Sequence, residues 1–194
     1  MHHGVMVTGF EPFSNHHSNI SQKIVDLISE DPRLEFKIST SILSVDEAGS
    51  REISGRLDNG EEIGAILHLG LAENSNEILL ERFAKNQFNM KIADNSGRRL
   101  SSGEISNGQI TLETKVPRDF IKNHLRDISR IRWNDDAGGF VCNETYFRSL
   151  LACSKRELPI VLFAHLPSEK VIPIEEQYEI VILICKSLDQ IIPD

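Results

Sequence analysis

The stretch Ala65-Ile66-Leu67-His68-Leu69-Gly70-Leu71 carries a single polar side chain and is otherwise continuously apolar. A strand with one face in water alternates apolar and polar residues. A run with almost no alternation is a strand covered on both faces, as in the middle of a parallel sheet. Ile160 to His165 (IVLFAH) reads the same way. Working outward, Val5 to Phe10 is a β-rich first strand, Phe36 to Val45 a second, Ile78 to Phe83 another, and Ile131 to Asn134 a short one. Helical patterns fall between them. Asn19 caps a helix with Ile20, Ile24, Leu27 and Ile28 on one stripe, broken by Pro32. Asp46 to Leu57 is a weaker helix stopped by Asp58-Asn59-Gly60, and Pro117 opens one with Phe120, Ile121 and Leu125 inward. Cys142 to Ser154 is helical, and Pro173 opens the last helix, with Ile174, Tyr178, Val181, Cys185 and Leu188 at helical spacing. Asp94-Asn95-Ser96-Gly97 is a turn, and Arg98 to Thr111 carries no assignable pattern. This alternation predicts an α/β fold, a mainly parallel sheet with helices on both sides. With no repeat, linker or low-complexity segment, residues 1–194 read as a single domain.

Composition narrows the function. Acidic residues outnumber basic ones, 29 to 21, for a net charge of −8. That balance repels a phosphate backbone, and no Lys/Arg run offsets it, so nucleic acid is not an expected partner. The longest apolar stretch, Ile180 to Cys185, is far below the ~20 residues a membrane span needs, so no membrane is expected either. The start, MHHGVMVTGF, lacks a signal-peptide core and cleavage site. His2 and His3, native or from a tag, are left out of the reading. Cys142, Cys153 and Cys185 are an odd number at unrelated spacings, which points to a reducing, cytoplasmic setting without disulfides or a CxxC metal site.

In open parallel sheets reactive groups gather where strands end and helices begin. Asp136-Ala137-Gly138-Gly139-Phe140-Val141-Cys142-Asn143 leads directly into a helix. Its glycines permit a tight backbone approach that delivers Cys142 to a helix N-terminus, where unpaired N–H groups and the macrodipole favour thiolate over thiol. Cys142 is thus a candidate nucleophile, with a buried structural cysteine as the alternative; Cys153 and Cys185, inside helices, read as structural. A nucleophilic sulfur needs a base that later serves as acid. Of seven histidines, His165 ends the run IVLFA at the sheet edge expected for Cys142, whereas His68 lies within an apolar run and reads as a satisfied core histidine. Glu81, in ILLERFA, is a candidate to orient the imidazole; the alternatives are an ion pair with Arg82 or an exposed edge charge. Phe10 and Phe13, in Gly9-Phe10-Glu11-Pro12-Phe13, offer either an apolar wall for a small ring or two core aromatics.

Four blocks together resemble the pyroglutamyl peptidase I (pyrrolidone-carboxylate peptidase) family of cysteine peptidases: Thr8-Gly9-Phe10-Glu11-Pro12-Phe13, Glu81-Arg82-Phe83-Ala84-Lys85-Asn86, Ala137 to Asn143, and His165-Leu166-Pro167. They occur in the family's order and extend over nearly the whole chain. Asn19-Ile20-Ser21 and the Asp94 to Gly97 turn add to the likeness. The resemblance implies an α/β/α sandwich and removal of an N-terminal pyroglutamyl residue from peptides through a thioester. It makes Cys142 the nucleophile, His165 the base and then acid, and Glu81 the orienting carboxylate, with Phe10, Phe13 and Phe140 around the lactam. It implies no metal or organic cofactor, and a homo-oligomer, a dimer or tetramer.

The chain departs from the family's pattern at several positions. Leu71 stands where Gln is usual in the substrate pocket, and an aliphatic side chain cannot hydrogen-bond a lactam. Lys91 and Ala93 replace Arg and Pro, Glu73 a small residue, and Asn134 a Ser. The three reactive positions are unchanged. Two further readings follow: a thiol amidase acting on another small N-capped substrate, suggested by Leu71, and a catalytically silent binding protein on the same scaffold. No GxGxxG or Walker pattern supports a nucleotide-binding module.

Overall fold

A computed structural model describes residues 4–108 and 110–193; His2 and His3 lie outside them. The chain order is β1 (Val5–Phe10), α1 (Ile20–Glu30), β2 (Ile38–Leu43), α2 (Glu47–Asp58), β3 (Ala65–Leu71), β4 (Ile78–Glu81), β5 (Phe83–Lys85), β6 (Thr111–Glu113), α3 (Phe120–His124), β7 (Ile131–Asn134), α4 (Val141–Ala152), β8 (Ile160–Leu166) and α5 (Ile174–Gln190). Six strands form one sheet in the order β2-β1-β3-β8-β4-β7. β2, β1, β3 and β8 run parallel; β4 is antiparallel to β8 and carries the parallel β7 on its far side. The two most apolar runs, β3 and β8, pair with each other in the interior of the sheet, as their lack of alternation requires.

Period-two alternation divides the core in two. Val5, Val7, Leu67, Leu69, Leu162 and Ala164 face α1, α3 and α5. Met6, Phe10, Ile66, Val161 and Phe163 face α2 and α4. The result is a three-layer α/β/α sandwich. Asn19 caps α1 by accepting from Ser21 N, and Asp46 caps α2 by accepting from Gly49 N. Among the described residues no helix is long and apolar enough to cross a membrane.

Ile78 to Phe83, expected as one strand, is divided at Arg82. β4 stays in the sheet, while β5 leaves it to pair antiparallel with β6. Arg82 causes the break. Its backbone N–H bonds Asn134 O at 2.7 Å, and its guanidinium pairs with Glu113 and lies over the Trp133 ring. Residues 86–108 then make an excursion over the N-terminus of α4. Asn89 N bonds Gly139 O at 2.9 Å, and Met90 and Ile105 are buried in the α4-side core. Arg98 anchors this excursion: its guanidinium donates to Asp94 at 2.8 Å and to the fully buried Glu144 of α4 at 2.6 Å. Arg148 donates to the other oxygen of Glu144 at 2.7 Å.

Removing one partner of a buried ion network leaves the others desolvated and uncompensated. Glu144→Ala is therefore expected to cost about 3 kcal/mol of stability, read by urea denaturation. An unchanged midpoint would show that the two arginines reach water without it.

Candidate active site

The C-terminal end of β3 and β8 creates a small space under α4. Gly70 of β3 lies directly opposite His165 of β8. A Cβ at Gly70 would come within 2.9 Å of the Phe163 ring and 3.1 Å of Cys142 Sγ. The missing side chain is thus the room that the sulfur occupies. Gly70 was not singled out from the sequence; its signal is a glycine inside a buried strand, which marks close approach by another group.

Cys142 is the second residue of α4 and is half-buried. Two glycines deliver it, for different reasons. Gly138 has φ +84°, a conformation that side chains resist. Gly139 packs so closely on residue 89 that its Cβ would meet Asn89 Cβ at 2.6 Å. Phe140, the N-cap residue, makes no side-chain cap. The first helical bond runs from Glu144 N to Phe140 O at 3.1 Å, so the N–H groups of Val141, Cys142 and Asn143 project from the first turn toward the sulfur's side. Asn143 fixes this turn to β5, accepting from Lys85 N and donating to Lys85 O, both at 2.9 Å.

His165 and Glu81 meet across strands. Glu81 lies opposite Phe163, which places it diagonally beside His165 on the α4 face. Its carboxylate, fully buried, accepts from His165 Nδ1 at 2.7 Å. The alternative pairing with Arg82 is not made, since Arg82 turns to Glu113. With Nδ1 held by Glu81, Nε2 is left for Cys142. Burial pulls the His165 pKa down, but hydrogen bonds to Cys142 and Glu81 and the charges on both push it up to about 10. The ring also rests on Phe163, centroids 4.7 Å apart.

Asn134 completes the setting. Its amide donates to Glu81 Oε2 at 2.9 Å, to Oε1 at 3.2 Å, and to Asp136 O at 2.9 Å. One side chain thereby joins the carboxylate to the loop that carries Cys142. The sequence showed this position only as a departure from Ser, because the partner is 53 residues away.

The aromatic candidates divide by depth. Phe10 is 2% exposed and stacks on Phe163, centroids 6.4 Å apart. Phe13 and Phe140 are half-buried above it, 5.7 Å apart. Leu71 is not brought together with them. Alternation turns its side chain to the other face of the sheet, where it packs on the α1-side core, whereas Phe13, Phe140 and Cys142 pack on the α4 side. His68 is the satisfied core histidine anticipated: fully buried, with Thr8 Oγ1 at 2.7 Å and Ser149 Oγ at 3.0 Å, and a pKa pulled down to about 3 by burial. Among the described residues no group of three His, Cys, Asp or Glu side chains is gathered to hold a metal ion.

A thiol at a helix start, near an imidazole that is hydrogen-bonded to a buried carboxylate, is an arrangement suited to acyl transfer. Comparison with known proteins gives the same answer independently: the model of the pyroglutamyl peptidase family matches residues 3–184. The chain belongs to the pyroglutamyl peptidase family. It is 28% identical to the pyrrolidone-carboxylate peptidase of Oceanobacillus iheyensis over 171 residues, 84% of this chain and 83% of that one. Identity to the Pyrococcus furiosus enzyme of the same name is 26% over 167 residues, 84% and 80% of the two chains. The crystal structure of pyrrolidone carboxyl peptidase from Fervidobacterium islandicum AW-1 superposes with a TM-score of 0.86 at 30% identity, covering 96% of this chain and 98% of that one. The Thermus thermophilus structure gives 0.77 at 29%, covering 97% and 100%. Within this pyroglutamyl peptidase fold Glu81, Cys142 and His165 come from β4, α4 and β8.

Two outcomes are expected of the geometry. Iodoacetamide should label Cys142 alone in folded protein, because Cys153 and Cys185 are buried; mass spectrometry after brief exposure reads this. Gly70→Ala should slow that labelling at least ~10-fold by displacing the sulfur or Phe163, since overpacking shifts side chains off their rotamers. Equal labelling of both proteins would mean that the space is not needed.

Proposed function

We propose that this chain is a cysteine peptidase that hydrolyses the bond after an N-terminal pyroglutamyl residue, with Cys142, His165 and Glu81 as its reactive set. One observation carries the proposal: in a chain of this family, buried Glu81 bonds His165 Nδ1 at 2.7 Å, and the Cys142 sulfur at the start of α4 lies against Gly70, the residue opposite His165 in the sheet.

The lactam ring lies against Phe13 and Phe140, with Phe10 at the base. Cys142 thiolate attacks the carbonyl carbon that joins pyroglutamate to the next residue. The carbonyl oxygen takes up negative charge and is met by N–H groups of the first turn of α4. The C–N bond breaks as His165 Nε2–H protonates the departing amine. Water, giving its proton to His165, then attacks the thioester; the C–S bond breaks and the free pyroglutamate leaves. Glu81 holds the imidazole by Nδ1 and favours its protonated form, and Asn134 holds Glu81. A free α-amine is rejected because an ammonium would enter an apolar pocket without a partner. Leu71 is compatible with this pocket, because its side chain packs on the opposite core. Three free cysteines suit a reducing cytoplasm, and the family resemblance implies a homo-oligomer, testable by sedimentation.

Release of fluorophore from a pyroglutamyl amide tests the proposal. Cys142→Ala and His165→Ala should each lose ~10⁴-fold in kcat/KM. Inactivity of reduced wild-type protein would defeat the reading. Because the His165 pKa is raised, the protonated donor persists as pH increases, and the alkaline limb of kcat/KM should fall only toward pH 10. Glu81→Gln removes one of the groups that raises it and should move that limb to lower pH. Leu71→Gln should change turnover of the reporter by less than about 3-fold, as for a side chain that does not face Phe13 and Phe140.

A further inference from the structure

The scissile bond must straddle Cys142 Sγ. Its acyl side is directed to Phe13 and Phe140 on the α4 side of the sheet. The amine side, with the rest of the peptide, leaves in the other direction, over the ends of β3 and β8. A cavity of about 410 Å³ opens there, within the ~300–1,000 Å³ range of ligand pockets.

This cavity adjoins the aromatic wall of the site. Leu71, on its wall, directly follows Gly70, against which the sulfur lies. Ser168, also on its wall, is three residues past His165. The His16 ring lines it too and rests on Phe13, centroids 5.2 Å apart, while Phe13 rests on Phe140. Leu71 and Ile20 give the cavity an apolar side that belongs to the α1-side core.

Its charges are unequal in availability. Lys23 Nζ is bound to both oxygens of Glu169, at 3.0 and 2.9 Å, so that pair is self-compensated. The Glu73 side chain is 64% exposed, and its ion contact is His16 Nε2 at 3.9 Å. Lys170 and the exposed His17 complete the polar wall. Glu73 contacts His16, whose ring rests on Phe13, so this carboxylate stands on the wall that the cavity shares with the aromatic site.

Resting on the peptidase reading above, we propose that this cavity receives the peptide downstream of the scissile bond. Glu73 makes it select a basic side chain in the first residue after the pyroglutamyl group. Glu73 is a specificity residue here and takes no part in bond making or breaking.

The test compares three substrates: a pyroglutamyl fluorogenic amide with no downstream residue, and pyroglutamyl peptides with Lys or Asp next in line and otherwise identical. Wild type should favour the Lys peptide over the Asp peptide by about 5-fold in kcat/KM, the scale of an exposed charge pair, and 0.5 M NaCl should shrink the ratio. Glu73→Gln should bring the ratio near 1, and Glu73→Lys should invert it, with measurable turnover of the fluorogenic amide by both variants showing that the bond-breaking groups are intact. A wild-type ratio near 1, a preference for Asp, or a ratio that survives Glu73→Gln would overturn the proposal and leave the peptidase reading standing. No turnover of the fluorogenic amide by wild type would defeat both.

Discussion

A carboxylate without access to water, bonded to an imidazole at 2.7 Å, is the constraint on which this architecture rests. Leaving Glu81 buried and unpaired would be very costly, so the bond fixes where β4 lies relative to β8. The antiparallel pairing of these strands sets Glu81 opposite Phe163 and diagonal to His165 on one face. A parallel strand at that position would need a crossover and would run the carboxylate in the opposite direction. The antiparallel junction of β4 and β8 is therefore where the Glu81–His165 pair forms.

The remaining parts of the site serve to bring a sulfur to that pair. Gly70 leaves room for it, Gly138 and Gly139 shape the loop that carries it, and Asn143 ties its helix to β5. Asn134 donates to both oxygens of Glu81 and to the Asp136 carbonyl, so the carboxylate and the cysteine loop are positioned by one amide. Farther out, Glu144 holds Arg98 and Arg148 and pins the irregular excursion of residues 86–108 over the same helix terminus. Gly70 against Cys142, Asn143 to Lys85, Asn134 to Glu81 and Arg98 to Glu144 join segments distant in the chain, which makes the site a property of the packed sheet rather than of any local motif.

The strands and helices were largely legible because burial imposes periods that survive in the sequence: near-continuous apolar runs for β3 and β8, and 3.6-residue stripes for α1 and α5. Arg82 was the point of failure in the strand reading. Its apolar neighbours continue the pattern of Ile78 to Phe83, but its pairing with Glu113 breaks the strand, and β6, only Thr111–Glu113, is too short to show a period. Leu71 was legible only in part. Its place in the motif suggested the substrate pocket, and alternation along β3 directs the side chain to the α1-side core, away from Phe13 and Phe140.

The sequence by itself determined the α/β class, the family, and which cysteine, histidine and glutamate deserved scrutiny, because residue type and local spacing are written in the chain. Only the tertiary structure decided that Glu81 faces His165 rather than Arg82, that Gly70 is the space for the sulfur, and that Asn134 holds the carboxylate. Those outcomes depend on strand direction and register across tens of residues, and a one-residue change of register would turn each of these side chains to the other face of the sheet.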